Sequence, residues 1–312
     1  MILLNILKKP IKLLLCIFRL FFQQKNVEGK WIRLSETEHK NLSHNTHQIP
    51  KIIWMYWDSK EKNELVDLCI SSVRHHCIGY DIRVLDSTNV EDYINLPKLN
   101  KILKPAIIAD YIRLSLLKKY GGIWMDASIF LTTDFDWFLS KMDGDTIFLF
   151  YSDACTINLN KPILENWFIA ANPSNDFICD WFNEFEKCIS SKDPTQYYSE
   201  YADKKDIIQK IPNTDYLMCY ISAAIVLSKK SYNILTLNSG SQGHYYNYRF
   251  FSNSFFIALV LGVYNKNNIF KPKLIKFTKD TRKYSNIFLE NNLVLTKSLL
   301  NKSSLIIDKR IV

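Results

Sequence analysis

The sequence is short of residues that interrupt regular structure: 312 residues contain only 8 glycines and 9 prolines. That scarcity excludes a collagen-like or low-complexity chain. There is no C-x-x-C pair, and the 7 cysteines are odd in number, so neither a zinc knuckle nor a complete disulfide framework is expected. Cys16, Cys69, Cys77, Cys155, Cys179, Cys188 and Cys219 read as reduced thiols of a cytosolic compartment, mostly small core residues. No glycine-rich dinucleotide fingerprint and no P-loop occurs. Long uncharged apolar runs are missing as well. In the apolar amino-terminal stretch the longest runs from Leu13 to Phe18, far below the roughly 20 residues of a spanning helix. No basic helix interleaved with aromatics stands out in the middle of the chain, so nucleic acid is not an expected partner.

What is present is a globular composition, with 47% hydrophobic and 23% charged residues. Lys and Arg total 40 against 31 acids, and the net charge of +9 attracts phosphates or anionic lipid. The first 25 residues mix Leu, Ile and Phe with Lys8, Lys9, Lys12 and Arg19. No small-residue cleavage site follows, which argues against a signal peptide. An in-plane amphipathic anchor fits best, its lysines meeting anionic headgroups. A hairpin buried on the domain and a true span remain open. The positive residues would keep the segment on the cytoplasmic side, as a peripheral protein of the plasma membrane.

Residues 26–48 are polar, include His39, His44 and His47, and read as a solvated linker. A catalytic domain is expected over 49–283, with a helical tail over 284–312. "IPKIIWMYWD" reads as a buried first strand, "EKNELVDLCISSVRHHC" as a helix and "YDIRVLDS" as the next strand. Strand, helix, strand is the order of a βαβ unit with a parallel sheet. "KPAIIADYIRLSLLKKYGG" is the best helix: Pro105 suits its first turn, lysines crowd its last, and Gly121-Gly122 stop it. It is apolar nearly all round, so it should be buried, yet it carries Asp110 and Arg113 three residues apart on one face. "IWMDASIFL" and "TIFLFYS" read as strands, residues 160–190 and 206–230 as helical, and "YNILTLNSG" and "KLIKFT" as late strands.

Asp126 interrupts a run otherwise built for burial. An aspartate at a strand's end reaches the crevice where open α/β sheets bind ligands. Asp126 and Ser128, two residues apart, would point to one side and offer oxygen ligands to Mn²⁺ or Mg²⁺, with diphosphate oxygens completing the shell. Asp134 and Asp136 in "TDFDWF" have D-x-D spacing but read as a helix cap, and Asp143 and Asp145 in "MDGD" as a turn.

Together, "KIIWMYW", "ADYIRLSLLKKYGGIWMDAS", "ENWFIAANPSNDFICDWF" and "KPKLIKFT" resemble the bacterial capsular polysaccharide synthesis glycosyltransferases, related to the family 32 sugar-transfer enzymes with a D-x-D motif. The resemblance covers residues 48–280. It implies a GT-A type, Rossmann-like α/β fold with a mixed, mostly parallel sheet flanked by helices. It also implies a nucleotide-sugar donor, a glycan or lipid-linked glycan acceptor, a divalent metal and retention of anomeric configuration. Asp126 matches the first acid of D-x-D. Ser128 stands in place of the second, a departure that weakens the expected metal site. The resemblance assigns Asp110 and Arg113 to donor sugar and phosphate, Trp54 to the nucleobase pocket, and Gly121 and Gly122 to a turn where backbone approaches the donor. It suits His244, in "NSGSQGHYYNYR", to a further metal or phosphate ligand, with an ordinary surface-loop histidine as the alternative. Asp215 would face the reacting sugar or acceptor. Asn158, Glu165, Asn166 and Trp167 would line the sugar subsite, and Lys276 would meet the donor phosphates. A hexosyltransferase moving a UDP-linked hexose or N-acetylhexosamine is the expected activity. A nucleotide-sugar hydrolase and a non-catalytic scaffold of glycan assembly are the competing readings.

Overall fold

The computed structural model describes residues 2–22, 27–35, 49–59, 61–97, 103–212 and 214–305. In chain order the regular elements are α1 (Ile2–Phe21), β1 (Trp31–Leu34), β2 (Ile52–Tyr56), α2 (Glu64–His76), β3 (Asp81–Leu85) and α3 (Pro105–Tyr120). There follow β4 (Gly122–Met125), β5 (Ile129–Leu131), α4 (Asp136–Leu139), β6 (Ile147–Tyr151), β7 (Leu164–Ala171) and α5 (Asp176–Ile189). The last are α6 (Met218–Lys229), β8 (Ile234–Asn238), α7 (Tyr245–Arg249), α8 (Ser254–Val263), β9 (Leu274–Lys276) and α9 (Lys279–Glu290).

Seven strands form one sheet in the order β1-β8-β6-β7-β4-β2-β3. β2 pairs parallel with β3 and β4, and β6 pairs parallel with β8, while β7 runs antiparallel to both β4 and β6, and β1 antiparallel to β8. Five strands therefore share one direction, and the mostly parallel α/β sheet expected from the sequence is observed. Its central strands β4, β6 and β7 are buried at every residue, as strands covered on both faces must be. Alternation sorts their side chains. Trp54, Trp124, Leu149 and Ile169 pack with α3, α5 and α6 on one face. Ile53, Met55, Ile123, Met125 and Phe168 pack with α2 and α4 on the other. Helix starts are satisfied by side chains: Asn63 accepts from Val66 N–H at 3.1 Å and Asn175 from Ile178 N–H at 3.2 Å.

Five expectations change. Residues 164–171 are strand β7, not helix, because an eight-residue run buried on both faces has no strand-like alternation to read. In 206–230 only Met218–Lys229 is α-helix. The expected linker 26–48 contributes β1 to the sheet edge, while 36–48, with His39, His44 and His47, lie outside the described residues. "IWMDASIFL" is two strands in two sheets: β4 joins the large sheet, and β5 pairs antiparallel with β9 in a small one. The break between them is the turn Asp126–Ser128, closed by Ile129 N–H donating to Asp126 C=O at 3.0 Å. The helix α9 crosses the boundary expected at 284.

Candidate active site at the carboxyl rim of the sheet

Asp126 follows β4 at the end where β2, β3, β6 and β8 also finish, the edge at which α/β sheets bind ligands. Its carboxylate is held by three donors. Arg113 Nη2 lies at 3.1 Å and Trp124 Nε1 at 3.2 Å from Oδ1, and Lys276 Nζ bonds Oδ2. The same ammonium donates to Ser128 Oγ at 3.1 Å, and Ser128 donates to Phe277 C=O at 3.1 Å. Arg113 reaches this point from α3, where it also pairs with Asp110 at 3.2 Å and stacks on Trp124 at 5.0 Å. Asn166 Nδ2 donates to Asp110 at 3.0 Å. Among the described residues, no hydrogen-bond partner reaches Nε or Nη1 of Arg113, although its side chain is only 5% exposed.

Burial and charge set the protonation states. Burial pushes Asp110 up to about 6, against the pull of Arg113. Burial would also raise Asp126, but Lys276 and Arg113 overcome it and hold that carboxyl below the usual range. Burial lowers Lys276, with Arg113 and Arg282 adding to the effect and Asp126 opposing it. Arg282 stacks on Trp57 at 4.8 Å, and burial lowers it against the attraction of Asp126.

A second polar cluster adjoins the first. Glu165 accepts from Ser239 Oγ at 3.1 Å and from Trp167 Nε1, and lies 3.5 Å from His244 Nε2. His244 Nδ1 meets Asn247 Nδ2 at 3.1 Å, and Gly243 C=O accepts from Lys276 N–H at 2.8 Å, which ties the two clusters together. Burial would raise Glu165, but His244 outweighs it and the carboxyl is lowered.

Asp110, Arg113, Asp126, Ser128 and Lys276 are thus brought together, with Asn166 beside them and Glu165 and His244 adjoining. Other expected residues lie elsewhere. Trp54 is fully buried and donates to Gly121 C=O at 2.9 Å, so it braces the glycine turn and offers no face to a nucleobase. Gly121 and Gly122 lie at the amino end of β4, opposite Asp126, where a Cβ would meet Pro173 N at 2.5 Å or Ile52 O at 2.6 Å. Close chain packing, not donor approach, requires them. Trp167, by contrast, belongs to the second cluster: buried and stacked on Phe150 at 4.6 Å, it donates to Glu165 and its ring meets that of His244 at 5.4 Å. Asn158 is exposed in the β6–β7 connection and caps a local turn at Asn160 N–H, 2.9 Å. Asp215 is exposed in the turn before α6; its neighbour Tyr216 feels the site, its phenol raised by burial and by Asp110 and Asp126. Sequence reasoning missed Arg282, Trp57 and Trp124. A basic residue six after Lys276 was the only signal for the first.

The acid pairs set aside above lie at the other end of the sheet. Asp134, Asp136 and Asp143 line a cavity of about 720 Å³ with Lys51, His76 and Tyr80, residues flanking the amino ends of β2 and β3. Asp134 accepts from Asp136 N–H at 3.2 Å, and Asp143 accepts from Thr146 Oγ1 at 2.8 Å and pairs with Arg33 at 2.8 Å.

The sequence profile described as "Capsular polysaccharide synthesis protein" matches residues 21–291. The chain belongs to this family. No curated protein matches the sequence. Among solved structures this family member is similar to three glycosyltransferases. The PaToxG glycosyltransferase is 14% identical over 59% of this chain and 79% of that one, with a TM-score of 0.33. The apo-form glycosyltransferase GlyE of Streptococcus pneumoniae TIGR4 is 11% identical over 80% and 65%, with a TM-score of 0.38. The galactosyltransferase LgtC in complex with donor and acceptor sugar analogs is 13% identical over 78% and 96%, with a TM-score of 0.36.

The family member's residues do not fit the divalent ion expected of a D-x-D site. Asp126 is the only carboxylate of the expected ligand set, and it is already paired with Lys276 and Arg113. Ser128 is engaged by Lys276 and Phe277, and His244 by Glu165 and Asn247. Among the described residues, no group of three or more His, Cys, Asp and Glu is placed to hold a metal.

Proposed function

We propose that the protein is a GT-A type glycosyltransferase that moves a sugar from a nucleoside-diphosphate donor to a surface polysaccharide or lipopolysaccharide acceptor. A UDP-linked hexose or N-acetylhexosamine is the donor we favour. The observation that carries this reading is the convergence of Arg113 and Lys276 on Asp126 at the carboxyl rim, with Arg282 within electrostatic reach of it. A cluster of cations with nearby carboxylates suits a diphosphate attached to a sugar: guanidinium and ammonium groups meet phosphate oxygens, and carboxylates orient sugar hydroxyls.

The bond from the anomeric carbon to the diphosphate oxygen breaks, and its electron pair leaves with the diphosphate. Fixed cations at that oxygen stabilise the developing charge without reorganising. The acceptor hydroxyl oxygen then bonds the anomeric carbon and passes its proton to the departing phosphate. Attack from the same face retains configuration, as the family resemblance implies. In this reading Glu165 and His244, in the adjoining polar cluster, position the sugar or acceptor. The membrane-facing role falls to α1, which exposes Leu14, Phe18 and Phe21 and carries Lys9 and Lys12, with Phe22 exposed just beyond its end. Among the described residues no helix is long and apolar enough to cross a membrane. We place the enzyme peripherally at the cytoplasmic face.

Donor consumption measured with and without a glycan acceptor tests the reading. Consumption is expected to rise with acceptor and to yield a glycosylated product; equal consumption would make the protein a hydrolase. Asp126→Asn is expected to lower transfer about 10²-fold or more, as loss of a preorganised electrostatic group does. A near wild-type rate would put the chemistry elsewhere.

A further inference from the structure

Lys276 stands where a bound cation would stand. Its ammonium bonds the Asp126 carboxylate and, at 3.1 Å, the Ser128 hydroxyl. Those are the two side chains that D-A-S presents at D-x-D spacing. Charge matching follows from the difference between the motifs: two carboxylates suit a divalent ion, whereas one carboxylate and one hydroxyl suit a single ammonium.

The position is built by the backbone. β5 and β9 pair antiparallel with Ile129 opposite Lys276, and Phe277 N–H donates to Ser128 C=O at 2.9 Å. The Lys276 side chain is 12% exposed, so it is no surface lysine passing over the site. Arg113 occupies the other oxygen of Asp126 and keeps two buried nitrogens without partners. Arg282 adds a further positive charge close by. A divalent ion would have to displace Lys276 and enter beside two guanidinium groups. A diphosphate meets the opposite situation: it gains charge-assisted bonds from cations already in place.

We infer that Lys276 replaces the divalent cation of D-x-D enzymes, so that this protein binds the nucleoside diphosphate without metal. The inference rests on the glycosyltransferase reading and deepens it. Arg113 and Lys276 would hold the diphosphate, Asp126 keeping both in register.

Isothermal titration of the full-length chain with UDP, GDP, CDP and dTDP, each in EDTA and in Mn²⁺, decides it. At least one diphosphate is expected to bind, with dissociation constants in EDTA and Mn²⁺ agreeing within about twofold. Lys276→Met is expected to weaken binding about tenfold or more, and Lys276→Arg to keep it within about threefold, as a charge-assisted contact predicts. Thermal melts establish that each variant is folded. Binding that appears only with Mn²⁺, or a folded Lys276→Met that binds as the wild type does, overturns the inference and leaves the transferase reading intact. If Lys276→Met fails to fold, the EDTA and Mn²⁺ titrations of the wild type still decide. Absence of binding by all four diphosphates in both conditions instead sinks the transferase reading, and the inference with it.

Discussion

Asp110 carries the clearest consequence of burying charge in α3. Its carboxyl titrates near 6 in the folded protein against 3.8 for the ordinary group, because burial outweighs the attraction of Arg113. The folded state therefore binds more protons than the unfolded chain between these values. Stability linked to the protonated form is complete below about pH 4 and is lost as pH rises through about 6. Two pH units correspond to about 2–3 kcal/mol. Asp126 is displaced the other way, so its contribution is present above the ordinary carboxylate range and lost only below it. The two windows do not overlap. Burial lowers His76 to about 4, which acts in the opposite sense over the same range, so the comparison isolates Asp110: in urea unfolding from pH 4 to 6.5, the stability of Asp110→Asn relative to wild type should rise with pH. An unchanged slope in the variant would mean that Asp110 is not the group responsible.

At the scale of elements, the α3–β4 corner explains why two glycines adjoin. Gly121 has φ +61° with ψ −153°, a conformation close to glycine-only, and Gly122 has φ +93°. Pro173 and Ile52 leave no room for a Cβ at either position. The corner lets a buried helix turn directly into a central strand, and Trp54 locks it from behind through the Gly121 carbonyl. Gly121→Ala should cost about 1–3 kcal/mol or more in stability. A melting temperature lowered by about 2–4 °C per kcal/mol would register this. The site lies at the far end of β4, so diphosphate affinity of the folded variant should be unchanged; lost affinity at intact stability would instead link the corner to the site. A helix stop before a strand was legible in "KKYGG", because positive φ and helix termination both leave a glycine signature. That the pair serves packing, and not the donor, was not legible. Pro173 and Ile52 are remote in sequence.

At the scale of the whole molecule, α1 is joined to the body at one edge. Cys16 is buried and its thiol donates to Phe250 C=O at 3.4 Å, Arg249 Nη2 donates to Arg19 C=O at 3.0 Å, and Arg19 lies over the Phe251 ring at 4.4 Å. The opposite face presents Leu14 at 65%, Phe18 at 58% and Phe21 at 77% exposure. Apolar area of this kind beside lysines suits the headgroup boundary of an anionic bilayer. Removing residues 1–25 should release the protein from vesicles containing anionic lipid, with most of the melting temperature retained because the sheet and its two cores lie outside this segment. Unchanged vesicle binding by the truncated chain would refute the anchor. The amphipathic character was readable from sequence, since lysines at intervals in an apolar run allow few other arrangements. The docking on Arg249 and Phe250 was not.

What the sequence determined by itself is local. A helix apolar on nearly every side must be buried, a charged pair three residues apart inside it must find partners, and an aspartate ending an apolar strand must lie at a rim. Periodicity, capping and the cost of unpaired charge act over a few residues, so each left a readable trace. Tertiary structure alone decided what Asp126 meets. Lys276 lies 150 residues further on and arrives because β9 pairs with β5 in one register. Trp54 was drawn into the core although its strand ends at the rim, because alternation along β2 turns it toward α3. Long-range strand pairing selects which charge faces which, and it leaves no mark in the residues on either side. A site that read as two oxygens awaiting a metal therefore folds as one carboxylate and one hydroxyl already holding an ammonium.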